Sequence, residues 1–163
     1  MVVKGRVSLY REQLQLEVED IGKASPEKHA EYGFDLSKLI PSTKHNVNQM
    51  WRELAKIIKD MQNTHLKSLI SSIYKENADV IKQHPASMKL HHAWLGGFLE
   101  HVLSMAKLGV HLGKHYDVDG DLLLTGILLH DIGKIVELNP AQQPGYTDEG
   151  QLLGHIVLGR DIA

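Results

Sequence analysis

Residues 121–129, DLLLTGILL, are apolar nearly all round, and a helix of that composition has no face to give to water. It belongs at the centre of a fold, with other helices wrapped about it. The pattern predicts one central helix over Asp121–Ile135, and within it His130 and Asp131 stand side by side in LLHDIGK. A carboxylate withdrawn from water is costly enough that it neutralises, pairs, or binds a metal ion. Any fold built on this segment must therefore say what Asp131 faces.

The rest of the chain supplies the wrapping. Met50, Trp51, Leu54, Ile57 and Ile58 recur at helical spacing across Val47–Met61, with Asn46 or Asn48 as N-cap. Leu66, Leu69, Ile70 and Ile73 continue the pattern over Thr64–Tyr74, and a short helix over Ala78–Gln83 stops before Pro85. A long helix is expected within His91–His115, where Gly96-Gly97 either permits close packing or marks the true start. The last helix is expected over Glu149–Ile162. Ahead of all this the period is two rather than 3.6. Val7 and Leu9, then Leu14, Leu16 and Val18, alternate with polar residues around the turn YREQ, which is a β hairpin. Such a hairpin is marginal alone, so its apolar face is expected to pack on something. The fold class expected is mainly α, a helical bundle preceded by a short hairpin. The segments are 1–21 hairpin, 22–46 linker broken by Pro26, Gly33 and Pro41, and 47–163 helical domain.

Composition narrows the function. The 163 residues suit one domain with a small appendage, and the formal net charge of −2 offers no broad footprint for nucleic acid, though it leaves room for a local groove. With no cysteine there is neither a disulfide nor a thiolate metal site, and a cytoplasmic location is the default expectation. MVVKGRVSLY lacks the apolar core of a signal peptide, and no apolar stretch approaches the roughly 20 residues of a membrane span. Eleven histidines are many for this length, and most fall after residue 83.

Two further histidines lie where core is expected: His101 in GGFLEHVLSMAKLG and His155 in QLLGHIVLG. A lone histidine on an apolar face is more often a satisfied core residue than a ligand, and His29, His45, His65, His111 and His115 are read that way. For His130-Asp131 the residues alone leave two readings open. One is a metal site closed by His101 from a neighbouring helix; the other is a buried imidazole–carboxylate pair. A nitrogen and oxygen donor set without sulfur suits manganese, iron, cobalt or nickel better than structural zinc.

LLHDIGK together with LEHVLSMAKLG resembles the signature of the HD-domain phosphohydrolases. HHAWLGGFLEHVLSMAKLG, GILLHDIGKIVEL and YTDEGQLLGHIVLGRDI are similar, in order and spacing, to the HD domain of the YhaM-type 3′→5′ exoribonucleases. KGRVSLYREQLQLEVEDI resembles the end of the OB-fold that precedes it, so the resemblance covers nearly the whole chain. It implies an HD helical bundle behind an OB-fold remnant. By position it implies metal ligands at His101, His130 and Asp131, and a catalytic set of Asp131, Lys134 and His155. His155 would serve a second metal or a phosphate, and Lys134 a phosphate oxygen. His91, His92 and Tyr10 would bind substrate, with Tyr10 equally readable as a hairpin aromatic. The ion implied is Mn2+, with iron, cobalt, nickel or magnesium as alternatives, and the substrate is single-stranded RNA or short single-stranded DNA. The family's last aspartate ligand has no counterpart before Ala163, so the HD domain is expected to be C-terminally incomplete and the chain to self-associate as a homo-oligomer. Two other functions fit the same residues: a nucleotide phosphatase or cyclic-dinucleotide phosphodiesterase, and a non-catalytic binding module or inactive fragment.

Overall fold

The structure, a computed structural model, describes residues 1–29, 32, 41–88, 92–139 and 145–163. Contacts divide the chain into Met1–Ile40 and Pro41–Ala163. In the first unit β1 (Val2–Tyr10) pairs antiparallel with β2 (Gln13–Gly22), with Val7 opposite Leu16 and Leu9 opposite Leu14. The turn falls on Arg11 and Glu12, both at positive φ, the geometry that matches the twist of a two-residue hairpin. A short helix α1 (Pro26–His29) follows. The expected apolar face is formed, and its side chains are exposed: Leu14 is 75% accessible and Val7 71%.

The second unit is helical. It comprises α2 (Val47–Asp60), α3 (Thr64–Glu76), α4 (Ala78–Gln83), α5 (Gly97–His115), α6 (Gly120–Leu129), α7 (Lys134–Glu137) and α8 (Asp148–Ile162). A two-residue pair, β3 (Leu138–Asn139) and β4 (Gly145–Tyr146), precedes α8. Asn46 caps α2 by accepting from Gln49 N–H, and Asn63 caps α3 by accepting from His65 and Leu66 N–H. Asp121 Oδ2 accepts from the backbone N–H of Gln62 and Asn63, which ties the start of α6 to the α2–α3 turn. The core runs through Leu54, Met61, Ile70, Ile81, Phe98, Leu99, Val102, Leu128 and Ile132, all essentially inaccessible.

One expected helix is settled between its two readings, and another is corrected. The helix within His91–His115 begins only at Gly97, because Gly96 takes φ 76°, a left-handed conformation that a helix cannot pass through. The expected central helix Asp121–Ile135 is interrupted. After Leu129 the backbone bonds shorten to i→i−3, with Ile132 N–H to Leu129 O at 3.1 Å and Lys134 N–H to Asp131 O at 2.9 Å. These tight turns separate α6 from α7 and carry His130 and Asp131. They also release Leu128 O, which takes the hydroxyl of buried Tyr74 at 2.8 Å instead.

Candidate metal centre

His101 projects from the second turn of α5, and His130-Asp131 follow the C-terminal end of α6, the helix packed against it. The break after Leu129 turns the two adjacent side chains toward the same point. Nε2 of His101 and Nε2 of His130 are 3.4 Å apart, and they lie 3.5 and 3.3 Å from Asp131 Oδ2. A triangle with those sides has its centre about 2.0 Å from each corner, which is the bond length of a divalent ion to nitrogen and oxygen donors. Among the described residues this is the set of three whose ligand atoms converge in this way. The residues fit a metal ion on geometry and on chemistry.

Tautomers support the fit. His130 Nδ1 is 2.7 Å from Ile127 O, and since a carbonyl only accepts, Nδ1 carries a proton, which leaves Nε2, the nitrogen facing Asp131 Oδ2, as the one that would give up its proton to take an ion. Asp131 is buried, and burial alone would push its carboxyl up. The bonds from His101, His130 and Lys134 outweigh burial and hold it far below the ordinary carboxylate range. The same bond to Asp131, opposed by burial, raises His130 above the ordinary imidazole value. Lys134 Nζ completes the cluster, 2.7 Å from Asp131 Oδ2.

His155 arrives from α8 by a different device. Gly154 has φ 72° and ψ 161° inside the helix, a conformation that favours glycine and breaks the ladder there. The freed backbone N–H of His155 donates to Glu137 Oε1 at 2.9 Å, and the ring Nδ1 lies 3.0 Å from the same oxygen. Glu137 thus holds the proton on Nδ1 and aims Nε2 at Asp131 Oδ1, 3.6 Å away. Close backbone packing sets this up. A Cβ on Gly133 would run into His155 O and Gly159 N, and one on Gly150 into the Glu137 backbone, so α7 and α8 meet as they do only because both positions are glycine.

Of the residues singled out in the sequence, the structure gathers His101, His130, Asp131, Lys134 and His155 around one carboxylate. His92 stands beside them, its ring 5.6 Å from that of His101 and its Nδ1 3.7 Å from Glu100 Oε1. His91 lies outside the described residues. Tyr10 belongs to the hairpin unit, where it is exposed beneath the Arg11 guanidinium. Three residues escaped sequence reasoning. Glu137 orients His155. Glu100 accepts from Thr43 and Trp94 while facing His92 and His45. Buried His84 binds Lys134 O through Nε2 at 2.9 Å. An acid inside the apolar run IVEL was the available signal for Glu137. Nothing local announced the other two.

The HD-domain family model matches residues 98–163, which include the triangle and His155. A second family model, described as a putative helicase, matches residues 39–120. The chain is 36% identical over 163 residues to the 3′-5′ exoribonuclease YhaM of Shouchella clausii, covering 99% of this chain and 50% of that protein. Against the YhaM of Listeria innocua the identity is 34% over 153 residues, covering 93% and 48%. Against that of Bacillus subtilis it is 33% over 155 residues, covering 94% and 48%. The chain therefore spans about half the length of the curated relatives it matches. No solved structure matches it at a significant level. The histidine–aspartate triangle thus lies inside the stretch that matches the HD-domain model, and the similarity to the YhaM exoribonucleases runs along nearly the whole chain.

Proposed function

We propose that this chain carries the hydrolytic centre of a metal-dependent 3′→5′ exoribonuclease acting on single-stranded RNA, and on short single-stranded DNA. The observation that carries the reading is the 3.3–3.5 Å triangle of His101 Nε2, His130 Nε2 and Asp131 Oδ2. The similarity to relatives named as exoribonucleases selects the substrate class. His101, His130 and Asp131 would hold the ion; their nitrogen and oxygen donors suit manganese, iron, cobalt or nickel, and Mn2+ is the one we assign, on the resemblance to the YhaM-type exoribonucleases. Such an ion, when bound, makes hydroxide available near neutral pH and polarises a phosphoryl oxygen.

The chain's own residues supply the rest. Asp131 anchors both imidazoles and Lys134 at once. The Lys134 ammonium, fixed on that carboxylate, offers a cation to a phosphate oxygen as negative charge develops there. Glu137 leaves His155 Nε2 as the atom that exchanges a proton at the Asp131 side of the site. His92, against the His101 ring, borders the entry to it.

The assay is stepwise shortening of a 5′-labelled single-stranded RNA with Mn2+. The expected products are a ladder receding from the 3′ end and nucleoside monophosphates. Intact RNA alongside inorganic phosphate released from nucleotides would replace this reading with a nucleotide phosphatase. We also propose self-association, prompted by exposed apolar residues such as Leu14 and Leu152, which sedimentation of the chain checks. The described helices include none long and apolar enough to cross a membrane, and a cytoplasmic site of action is part of the same proposal.

A further inference from the structure

The helices α2 and α3 face each other across a cavity of about 420 Å3 that shares no residue with the metal centre. It exists because Ala55, Ser71 and Ala78 are too small to fill the space between the helices. Its floor is Trp51, Leu54, Ile58 and Tyr74, and the charged residues lining it are all lysines: Lys59, Lys67 and Lys75. A fourth, Lys82 on α4, sets its ammonium 4.8 Å from the Trp51 ring centre. The lysine ion pairs within the described residues are Lys107–Glu53 and Lys134–Asp131, so none of these four is neutralised by a carboxylate. A chain of net charge −2 thus concentrates uncompensated positive charge around one aromatic-floored cleft.

A volume of this size is within the range of small-ligand sites, roughly 300–1,000 Å3. The chemistry calls for a ligand with a flat apolar body and an anionic edge. A nucleotide within a single strand has both, since every base presents a π-face and every link a phosphate. An acidic apolar peptide shares the charge but has no flat ring to lay on Trp51. The floor is also coupled to the catalytic corner. The Tyr74 hydroxyl holds Leu128 O, two residues before His130.

Resting on the exoribonuclease reading, we propose that the α2–α3 groove is an anchoring site for a nucleotide of single-stranded RNA away from the end being cut. A base would lie on the partly exposed Trp51, which is backed by the buried Tyr74, and the backbone phosphates would meet Lys59, Lys67 and Lys75. The groove would hold longer strands and leave the shortest ones unheld.

The test measures the anisotropy of a 5′-fluorescein oligouridylate with the 163-residue chain in EDTA, so that nothing is cleaved. The triple variant Lys59→Glu/Lys67→Glu/Lys75→Glu is expected to bind at least about tenfold more weakly at low salt, and the slope of log affinity on log salt to shrink by about 2. Ala55→Trp, which fills the cavity without changing charge, is expected to weaken binding as well. Both variants should hydrolyse bis(p-nitrophenyl) phosphate with Mn2+ at the wild-type rate. Unchanged oligonucleotide affinity in both variants overturns the proposal, including the case where they lose an acidic peptide instead. If the parent chain binds RNA through the groove but hydrolyses neither RNA nor the ester with any divalent ion, the groove stands and the hydrolase reading falls.

Discussion

The hairpin and the helical unit use apolar residues in opposite ways. In β1 and β2, Val7, Leu9, Leu14, Leu16 and Val18 all stand exposed, and the element is held by its backbone ladder. In the helical unit Leu128 and Ile132 are fully inaccessible, and the polar cluster sits directly between them in the chain. Periodicity says which residues share a face; burial depends on what that face meets. The lesson bears on function, because Asp131 acquires its character only from being buried among donors. An identical dipeptide on the hairpin would be an ordinary solvated pair.

The largest effect should follow Asp131→Asn, which strikes the buried carboxylate at the centre of the polar cluster. The amide cannot anchor two imidazoles and an ammonium together. Lys134, only 14% accessible at its side chain, loses its counter-charge. Metal affinity is expected to fall by more than about 100-fold, beyond the usual cost of disturbing an outer partner of a metal ligand. RNA hydrolysis should fall with it. Metal content after dialysis, with thermal unfolding as a check on folding, reads this directly. Retention of stoichiometric metal in the variant would sink the triangle as the binding site.

Next come changes that reach the core without touching a ligand. Leu128→Ala opens a cavity beside the Tyr74–Leu128 link and should cost about 2–5 kcal/mol in denaturant unfolding. Gly133→Ala forces a methyl group into the backbone of α8 and should cost about 1–3 kcal/mol. Because Gly133 seats His155, this variant should also lose activity out of proportion to its stability. Glu137→Gln sharpens that point further. It is expected to leave metal binding within a few-fold while lowering turnover by about 10–100-fold, since only the aim of His155 is disturbed. Equal losses in metal affinity and turnover would make Glu137 a purely structural residue.

How far the chain announced this arrangement differs by element. The apolar run of α6 and the helical spacing in α2, α3 and α4 were legible because each is local. So was the hairpin, down to its YREQ turn. His101, His130 and Asp131 could be paired only through a resemblance, since spacing alone allowed a buried ion pair equally well. The break after Leu129 was not legible. Gly133 tolerates a helix and gives no warning that the turns tighten there, and the reason lies in α8 packing against it, a contact between distant segments. Glu137 and His84 escaped for the same reason. Their partners are 18 and 50 residues away.

The smallest effects separate the two regions most cleanly. Burial lowers His84 below the ordinary imidazole value, more than its bond to Lys134 O raises it. The folded chain therefore holds fewer protons than the unfolded one below about pH 6.5, and stability is present above that value and declines as pH falls through it. His84→Gln should remove this part of the slope, read as the difference in unfolding free energy between variant and parent from pH 7.5 to 5.5. On the hairpin, Leu14→Ser exchanges one exposed side chain for another. It should move stability by no more than about 0.5 kcal/mol, the range of surface substitutions. A loss of several kcal/mol from Leu14→Ser would mean that the exposed hairpin face is covered in solution, by a second copy or another partner. The contrast between the two regions would then belong to the isolated chain alone.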